Sequence, residues 1–344
     1  MPSPHLDLLD RVRGRLKPPV LIALGSPRQA SDITAALALP DTACYQIDLY
    51  QASRLRDELR ELGADAEVHT AADLWDVPGP FGSVLVPSPA RGERELKRDI
   101  VEQAYHVLEP RGILAVLSPI EREQFYPDLM KKVFGKVALE VADAGTVLWS
   151  PRPAKDRPRR RHEVTFHVRD GERSVAFASQ PGAFTYGRMD DGARALAEAM
   201  TVKPGDAVVD IGCGTGTVGV LAGLRGGTVT FVDSNLRAVA LAERNAKAAG
   251  LTDTKAVAAV QLEGLPEKAF DLALANPPYY AQQSIASMFI DGAVRLLKPG
   301  GRLVLVTKAA DIVGEMLYER FGEPTMELRR GYAVFTARKG RRRS

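Results

Sequence analysis

Two stretches of this sequence, close to 190 residues apart, carry the same series of strand ends and turns. Val20-Leu21-Ile22-Ala23-Leu24-Gly25 has its counterpart in Val208-Val209-Asp210-Ile211-Gly212, and Tyr45-Gln46-Ile47-Asp48 in Thr230-Phe231-Val232-Asp233. Phe81 through Pro89 answers to Phe270 through Pro278, Leu108-Glu109-Pro110-Arg111-Gly112 to Leu297-Lys298-Pro299-Gly300-Gly301, and Phe134-Gly135 to Phe321-Gly322. The offset stays between 185 and 189 throughout. A near-constant offset across a whole domain marks duplication. The expected fold class is α/β, with two tandem Rossmann-like domains related by this duplication. A length of 344 residues suits two cores, and 45% hydrophobic residues exclude disorder as the default. No apolar run is long enough to span a membrane, and Met1-Pro2-Ser3-Pro4-His5 lacks the layout of a signal peptide. Cys44 and Cys213 give neither a disulfide framework nor metal spacing. The expected setting is cytoplasmic, with no membrane partner.

The two copies differ where chemistry would sit. In the second, the apolar run Phe270 to Ala275 ends in Asn276-Pro277-Pro278-Tyr279. Prolines cannot donate to a sheet ladder, and they bias the residues before them to extended geometry. The result is a stiff loop at a strand's carboxyl end, where open α/β sheets bind ligands. It offers one amide, carbonyls and one aromatic face, the parts needed to hold a planar amine. Upstream, the strand pattern Ala207 to Ile211 leads into Gly212-Cys213-Gly214-Thr215-Gly216, and a helix can open at Val218. Closely spaced glycines let backbone approach a ligand. Gly214 to Gly219 also satisfies the dinucleotide fingerprint. Asp210, however, stands just before the loop, where an anion repels a pyrophosphate and suits a cationic amino-acid ligand. Asp233 ends the next strand and can accept both hydroxyls of a ribose. Cys213 reads as a small loop filler. The first copy has Gly25-Ser26-Pro27-Arg28-Gln29 and Pro87-Ser88-Pro89-Ala90 at these places. It lacks the acid, two of the glycines, the amide and the ring, and its Asp48 reads as a strand-end acid without a ligand.

Taken together, Asp210 to Gly216, Asp233, Asn276 to Tyr279 and Leu297 to Gly301 resemble a class I S-adenosylmethionine-dependent methyltransferase. The resemblance implies that the glycine loop passes under the methionine part of S-adenosyl-L-methionine and that Asp233 holds its ribose. It also implies that Asn276 and Pro277 hold the target amine. Between the halves, Val164 to Val168 and Ser174 to Ala178 alternate around Arg169-Asp170-Gly171-Glu172, a hairpin signal, with His162 and His167 as its surface residues. Phe184-Thr185-Tyr186-Gly187-Arg188-Met189-Asp190-Asp191-Gly192 then leads into a helix over Ala193 to Met200, capped by Asp190 or Asp191. With a degenerate first domain in front, this layout resembles the bacterial ribosomal RNA guanine-N2 methyltransferases of the RsmC/RlmG type. By that resemblance, Phe184, Gly187, Asp190 and Gly192 lie over the cofactor.

The expected domains are 1–150, a degenerate copy serving as support or RNA docking, and 162–337, the catalytic copy. A basic linker, 151–161, and a basic tail, 338–344, complete the chain. The net charge is only +3, but Arg152, Lys155, Arg157, Arg159, Arg160 and Arg161 crowd the linker, and Arg338, Lys339, Arg341, Arg342 and Arg343 the tail. Both read as solvated, flexible segments that either serve as spacers or contact RNA phosphates. The expected reaction is methylation of the exocyclic N2 of a guanine in ribosomal RNA, with Tyr279 stacked on the base and no dedicated base or metal. Tyr279 stands where that family commonly has Phe and is more usual in adenine-N6 and protein-glutamine methyltransferases, which remain open, as does a non-catalytic RNA-binding assembly role. The strand before Gln261 and Glu263 is expected to end near Val260 to Glu263, and either side chain can reach the cofactor's adenine. Asp271 reads as a structural acid. The partner is ribosomal RNA or a ribosomal subunit, and the oligomeric state is open.

Overall fold

The computed structural model describes residues 4–277 and 283–340. Pro278 and Tyr279 of the expected amine-holding loop, and Arg341 to Arg343 of the tail, lie outside the described residues. The chain divides into two compact units, Met1–His162 and Glu163–Ser344.

The first unit is built on strands β1 (Val20–Ala23), β2 (Thr42–Gln46), β3 (Glu67–Thr70), β4 (Phe81–Pro87), β5 (Leu108–Ser118), β6 (Ala138–Ala142) and β7 (Gly145–Pro151). A hairpin of β8 (Val164–Asp170) and β9 (Arg173–Ser179) opens the second unit. Its sheet follows as β10 (Ala207–Ile211), β11 (Thr228–Asp233), β12 (Thr254–Ala258), β13 (Phe270–Ala275), β14 (Leu297–Thr307), β15 (Thr325–Arg329) and β16 (Tyr332–Arg338). The sheet orders are β3-β2-β1-β4-β5-β7-β6 and β12-β11-β10-β13-β14-β16-β15, the same order twice. Both units share a register irregularity, between Phe81 and Ser83 and between Phe270 and Leu272. The duplication expected from the sequence is therefore a duplication of topology down to single bulges.

The helices of the first unit are α1 (Pro4–Val12), α2 (Pro27–Leu37), α3 (Leu49–Glu61), α4 (Arg94–Val107) and α5 (Phe125–Phe134). Those of the second are α6 (Asp191–Ala199), α7 (Thr217–Leu224), α8 (Leu236–Ala248), α9 (Gln283–Leu296) and α10 (Ala310–Phe321). In the second sheet, successive residues of β10 face opposite cores: Val208 packs with Phe231, Leu272 and Leu274, and Val209 with Ala273, Leu303 and Leu305. A central parallel strand is covered on both faces, so it reads as a continuous apolar run. Strand order reverses between β10 and β13, and the crevice at their carboxyl ends is where such sheets take ligands.

Several expectations are corrected. β12 ends at Ala258, short of Val260 to Glu263. Leu262 is in the left-handed region (φ 59°), and the Glu263 carboxylate accepts from the N–H groups of Val260 and Gln261 at 3.0 and 2.7 Å. Those contacts make a turn, so apolar Val260 and Leu262 do not extend the strand. His162 is not a surface residue of the hairpin: it belongs to the first unit, where its Nε2 pairs with Glu102 at 3.0 Å. His167 is exposed on β8, as expected. Residues 152–161 are not a free linker, because several of their side chains bond to the first unit. The tail does not begin at Arg338, which ends β16. Lys339 is fixed by its N–H to the Gly301 carbonyl (2.9 Å) and by its ammonium to the carbonyls of Val294 and Leu297 (2.5 and 2.8 Å). Asp271 accepts from Ala207 N–H (3.0 Å) and Lys298 Nζ (2.7 Å), a structural acid as read.

Candidate active site

The glycine loop leaves the carboxyl end of β10 and turns three times. Gly212, Gly214 and Gly216 have φ of 70°, 53° and 77°, a region that side-chain-bearing residues rarely enter. The alternation is thus a backbone requirement. Gly216 carries the additional constraint of packing, since a Cβ there would lie 2.8 Å from Ala242. Asp233 braces the loop from β11: its Oδ2 accepts from Gly214 N–H and its Oδ1 from Asn235 N–H, both at 2.9 Å.

An open cleft of about 410 Å³, its mouth included, lies over this loop. It is lined by Phe184, Asp190, Asp210, Gly212, Cys213, Gly214, Thr215 and Asn276, all of them named from the sequence. Thr185, Met189, Ala193, Thr217 and Val218 line it as well and were missed. Gly192, Gly216, Pro277 and Asp233 are not wall residues. Gly192 and Gly216 make room and Asp233 braces; Pro277, next in sequence to Asn276, is buried.

Charge in the cleft is unusual. Asp210 is buried, accepts from Gly219 N–H at 2.9 Å, and its carboxyl is pushed up to about 7. Burial is the main cause, and the Asp233 charge adds to it. Cys213 is also buried; burial first, then Asp233 and Asp210, push its thiol pKa well up. A buried carboxylate beside an open cleft favours a cation in that cleft.

Asn276 and Asp190 meet across the cleft. Asp190 caps α6, its Oδ1 accepting from Ala193 N–H at 3.1 Å. The Asn276 Nδ2 group lies 3.4 Å from both Asp190 oxygens, long but symmetric. That contact assigns the amide orientation: the NH2 faces the carboxylate and Oδ1 keeps its acceptor capacity. Gly192 permits the approach, because a Cβ there would sit 2.9 Å from Asn276 Oδ1.

The segment carrying Phe184 is tied down by α8. The buried Asn245 reads both backbone groups of Ala178 and donates to the Thr215 carbonyl, each at 2.9 Å. Asn235 Nδ2 donates to Gly182 O at 2.7 Å, and the buried Arg237 donates to Pro181 O. One helix therefore joins the glycine loop to the segment above it. The available signal was an Asn on the apolar face of α8, in step with Ala238, Leu241 and Ala242.

The equivalent place in the first unit is filled. α1 and α6 are offset by 187 residues, so His5 occupies the position of Gly192. His5 is buried, its Nε2 3.0 Å from the Ser88 carbonyl and its Nδ1 3.4 Å from Gln29 Nε2. The Pro87 ring lies where a Cβ of Gly25 would go (2.6 Å), and Tyr126 donates to Ser88 Oγ at 2.9 Å. Asp48 caps α3 by accepting from Gln51 N–H, and Arg28 turns outward to Asp32 and Glu58.

Residues 174–336 match the family model of the methyltransferase small domain. The ribosomal RNA small subunit methyltransferase C of Chromohalobacter salexigens is 37% identical over 177 residues, covering 49% of this chain and 53% of that protein. The ribosomal RNA large subunit methyltransferase G of Streptomyces avermitilis is 28% identical over 190 residues, covering 52% and 50%. The chain thus matches about half the length of these relatives. A solved 16S rRNA N2 methyltransferase of T. thermophilus, in complex with AdoMet and guanosine, superposes with a TM-score of 0.76 at 21% identity. It covers 98% of this chain and 92% of its own, a likeness of the whole tandem fold.

Proposed function

We propose that the second unit transfers a methyl group from S-adenosyl-L-methionine to the exocyclic N2 of a guanine in ribosomal RNA, in the cytoplasm. The observation that carries this reading is Asn276 facing Asp190 at the edge of the glycine-loop cleft, with no donor to its amide oxygen among the described residues. The names of the relatives and the guanosine bound by the structural neighbour support the choice of base.

The residues present fit the cofactor. Side chains at Gly212 and Gly214 would need a strained backbone, so the loop presents main chain alone. Asp210 lines the cleft as a buried carboxyl that suits a cation, and Asp233 stands beside the loop, bonded to Gly214 N–H. When bound, S-adenosyl-L-methionine supplies an electrophilic methyl group on a sulfonium. Asp210 and the loop would hold its amino-acid end, Asp233 its ribose, and Phe184 would cover it.

A guanine N2 amine is a weak nucleophile because its lone pair is delocalised into the ring. Asn276 Oδ1 accepts one of its N–H groups and the Pro277 carbonyl accepts the other, which turns the developing lone pair toward the methyl group. Orientation of this kind supplies a large part of a bimolecular barrier. The base reaches the cleft unstacked. Tyr279 remains our candidate for the stacking ring and Pro278 for the loop's stiffness. The first unit, with His5 and Pro87 in the equivalent place, takes no cofactor on this reading and serves as support or RNA docking.

The test is to methylate ribosomal RNA with radiolabelled S-adenosylmethionine and digest the product to nucleosides. Label in N2-methylguanosine is expected. Label in N6-methyladenosine, or in glutamine of a ribosomal protein, would replace the acceptor assigned here.

A further inference from the structure

The arginines of the first unit are satisfied in two different ways. Away from the strap, Arg11, Arg13, Arg28, Arg54 and Arg60 pair with carboxylates, while Arg56 donates to the Val68 carbonyl and Arg15 and Arg94 lie over Trp149 and Phe125. Along residues 152–161 they bond chiefly to carbonyls and ring faces. Arg157 donates to the Lys132 and Val133 carbonyls at the end of α5, where a helix dipole favours a cation. Arg152 donates to the Tyr105 carbonyl at 2.8 Å and lies over the Tyr105 ring at 4.9 Å. Arg159 and Arg161 lie over Trp75 at 5.5 and 5.9 Å, and the Tyr105 hydroxyl holds the Lys155 carbonyl.

Carbonyls and rings fix a guanidinium without cancelling its charge. Among the described residues, Asp156 and Asp73 form ion pairs with this strap, through Arg152 and Arg161. Lys155 and Arg160, and Lys131 and Lys132 on the adjoining end of α5, are exposed with no carboxylate partner among the described residues. His106, between Trp75 and Tyr105, has its pKa lowered by burial first and then by Arg159, Arg152 and Arg157, against the opposing charge of Glu102.

We propose that the strap 152–161 with the end of α5 is a preformed phosphate-docking surface for RNA. It rests on the proposed function for the identity of the RNA. Anchoring matters because a tethered side chain loses less freedom on binding than a free one. The strap is cationic with no exposed large apolar side chain, which favours a phosphate backbone over a lipid surface.

The experiment compares the full chain with the variant Lys155→Gln, Arg159→Gln, Arg160→Gln, and with Lys155→Arg, Arg159→Lys, Arg160→Lys. Binding to transcribed small-subunit ribosomal RNA is measured across a salt series, with methyl incorporation measured in parallel. The glutamine variant should bind weakly, with a log–log salt slope lower by about three, about one per lost phosphate contact. The charge-retaining variant should keep the slope. An unchanged slope in the glutamine variant, or an equal loss in both variants, overturns the proposal. So does tighter binding of the wild type to polyglutamate or to phosphatidylglycerol vesicles than to RNA. If wild type incorporates no methyl while the slopes differ as stated, the methyltransferase reading fails and the docking surface stands.

Discussion

Asp210 shows at the scale of one residue how burial becomes function. Its carboxyl titrates near 7 because burial opposes its charge and Asp233 adds repulsion, against one N–H from Gly219. A folded value raised above the ordinary one means that this group stabilises the unit fully at pH below its unfolded value, about 3.9. That contribution is lost as pH rises through about 7. A cation in the cleft reverses the preference and draws the ionised form. Affinity for S-adenosylmethionine should therefore weaken as pH falls below 7, approaching about tenfold per pH unit. Titration calorimetry across this range checks it, and Asp210→Asn should bind more weakly with a flatter profile. A variant with the wild-type pH dependence would mean that Asp210 does not face the cofactor. The sequence marked Asp210 by its place before the glycines. Its burial, and the bracing of Gly214 by Asp233, depend on contacts between strands distant in sequence and were not legible there.

At the scale of elements, the two units differ at the start of one helix. α1 and α6 are copies, yet α1 presents His5 to Ser88 while α6 presents Gly192 to Asn276. In a helix interior Gly→Ala is favourable by about 1 kcal/mol, and at Gly192, in the first turn of α6, the gain is smaller. The added Cβ would lie 2.9 Å from Asn276 Oδ1 and 3.1 Å from Asp190 Oδ2, however, and must displace the amide. We expect an unchanged or raised melting temperature with kcat lowered about tenfold to a hundredfold, the range a small misplacement costs. Full turnover in this variant would show that the Asn276–Asp190 contact is not needed. The hairpin, an Asp cap on α6 (left open between Asp190 and Asp191) and the ends of β10, β11 and β13 were legible because alternation, Asp capping and proline are local signals. The end of β12 was misread because Leu262 adopts left-handed geometry that its apolar side chain does not announce. The α8 ties through Asn235, Arg237 and Asn245 were missed because amphipathic patterning counts an occasional polar residue as noise.

For the whole molecule, duplication supplies an internal control. One fold occurs twice with the same strand order, and among the described residues the glycine turns, Asn276 and the open helix start belong to the second copy. The near-constant offset made the tandem architecture readable from the sequence alone. The basic strap was readable as charge but not as structure, since carbonyls at a helix end leave no mark in composition. On the proposed function, division of labour follows: chemistry in the second unit, docking and support in the first. The central claim is that Asn276 orients a guanine amine for methyl transfer. It is tested by giving wild type and Asn276→Ala the same ribosomal RNA and labelled cofactor, and measuring N2-methylguanosine formed alongside cofactor affinity. The account predicts loss of product with cofactor affinity nearly intact; near wild-type formation of N2-methylguanosine by Asn276→Ala would contradict it.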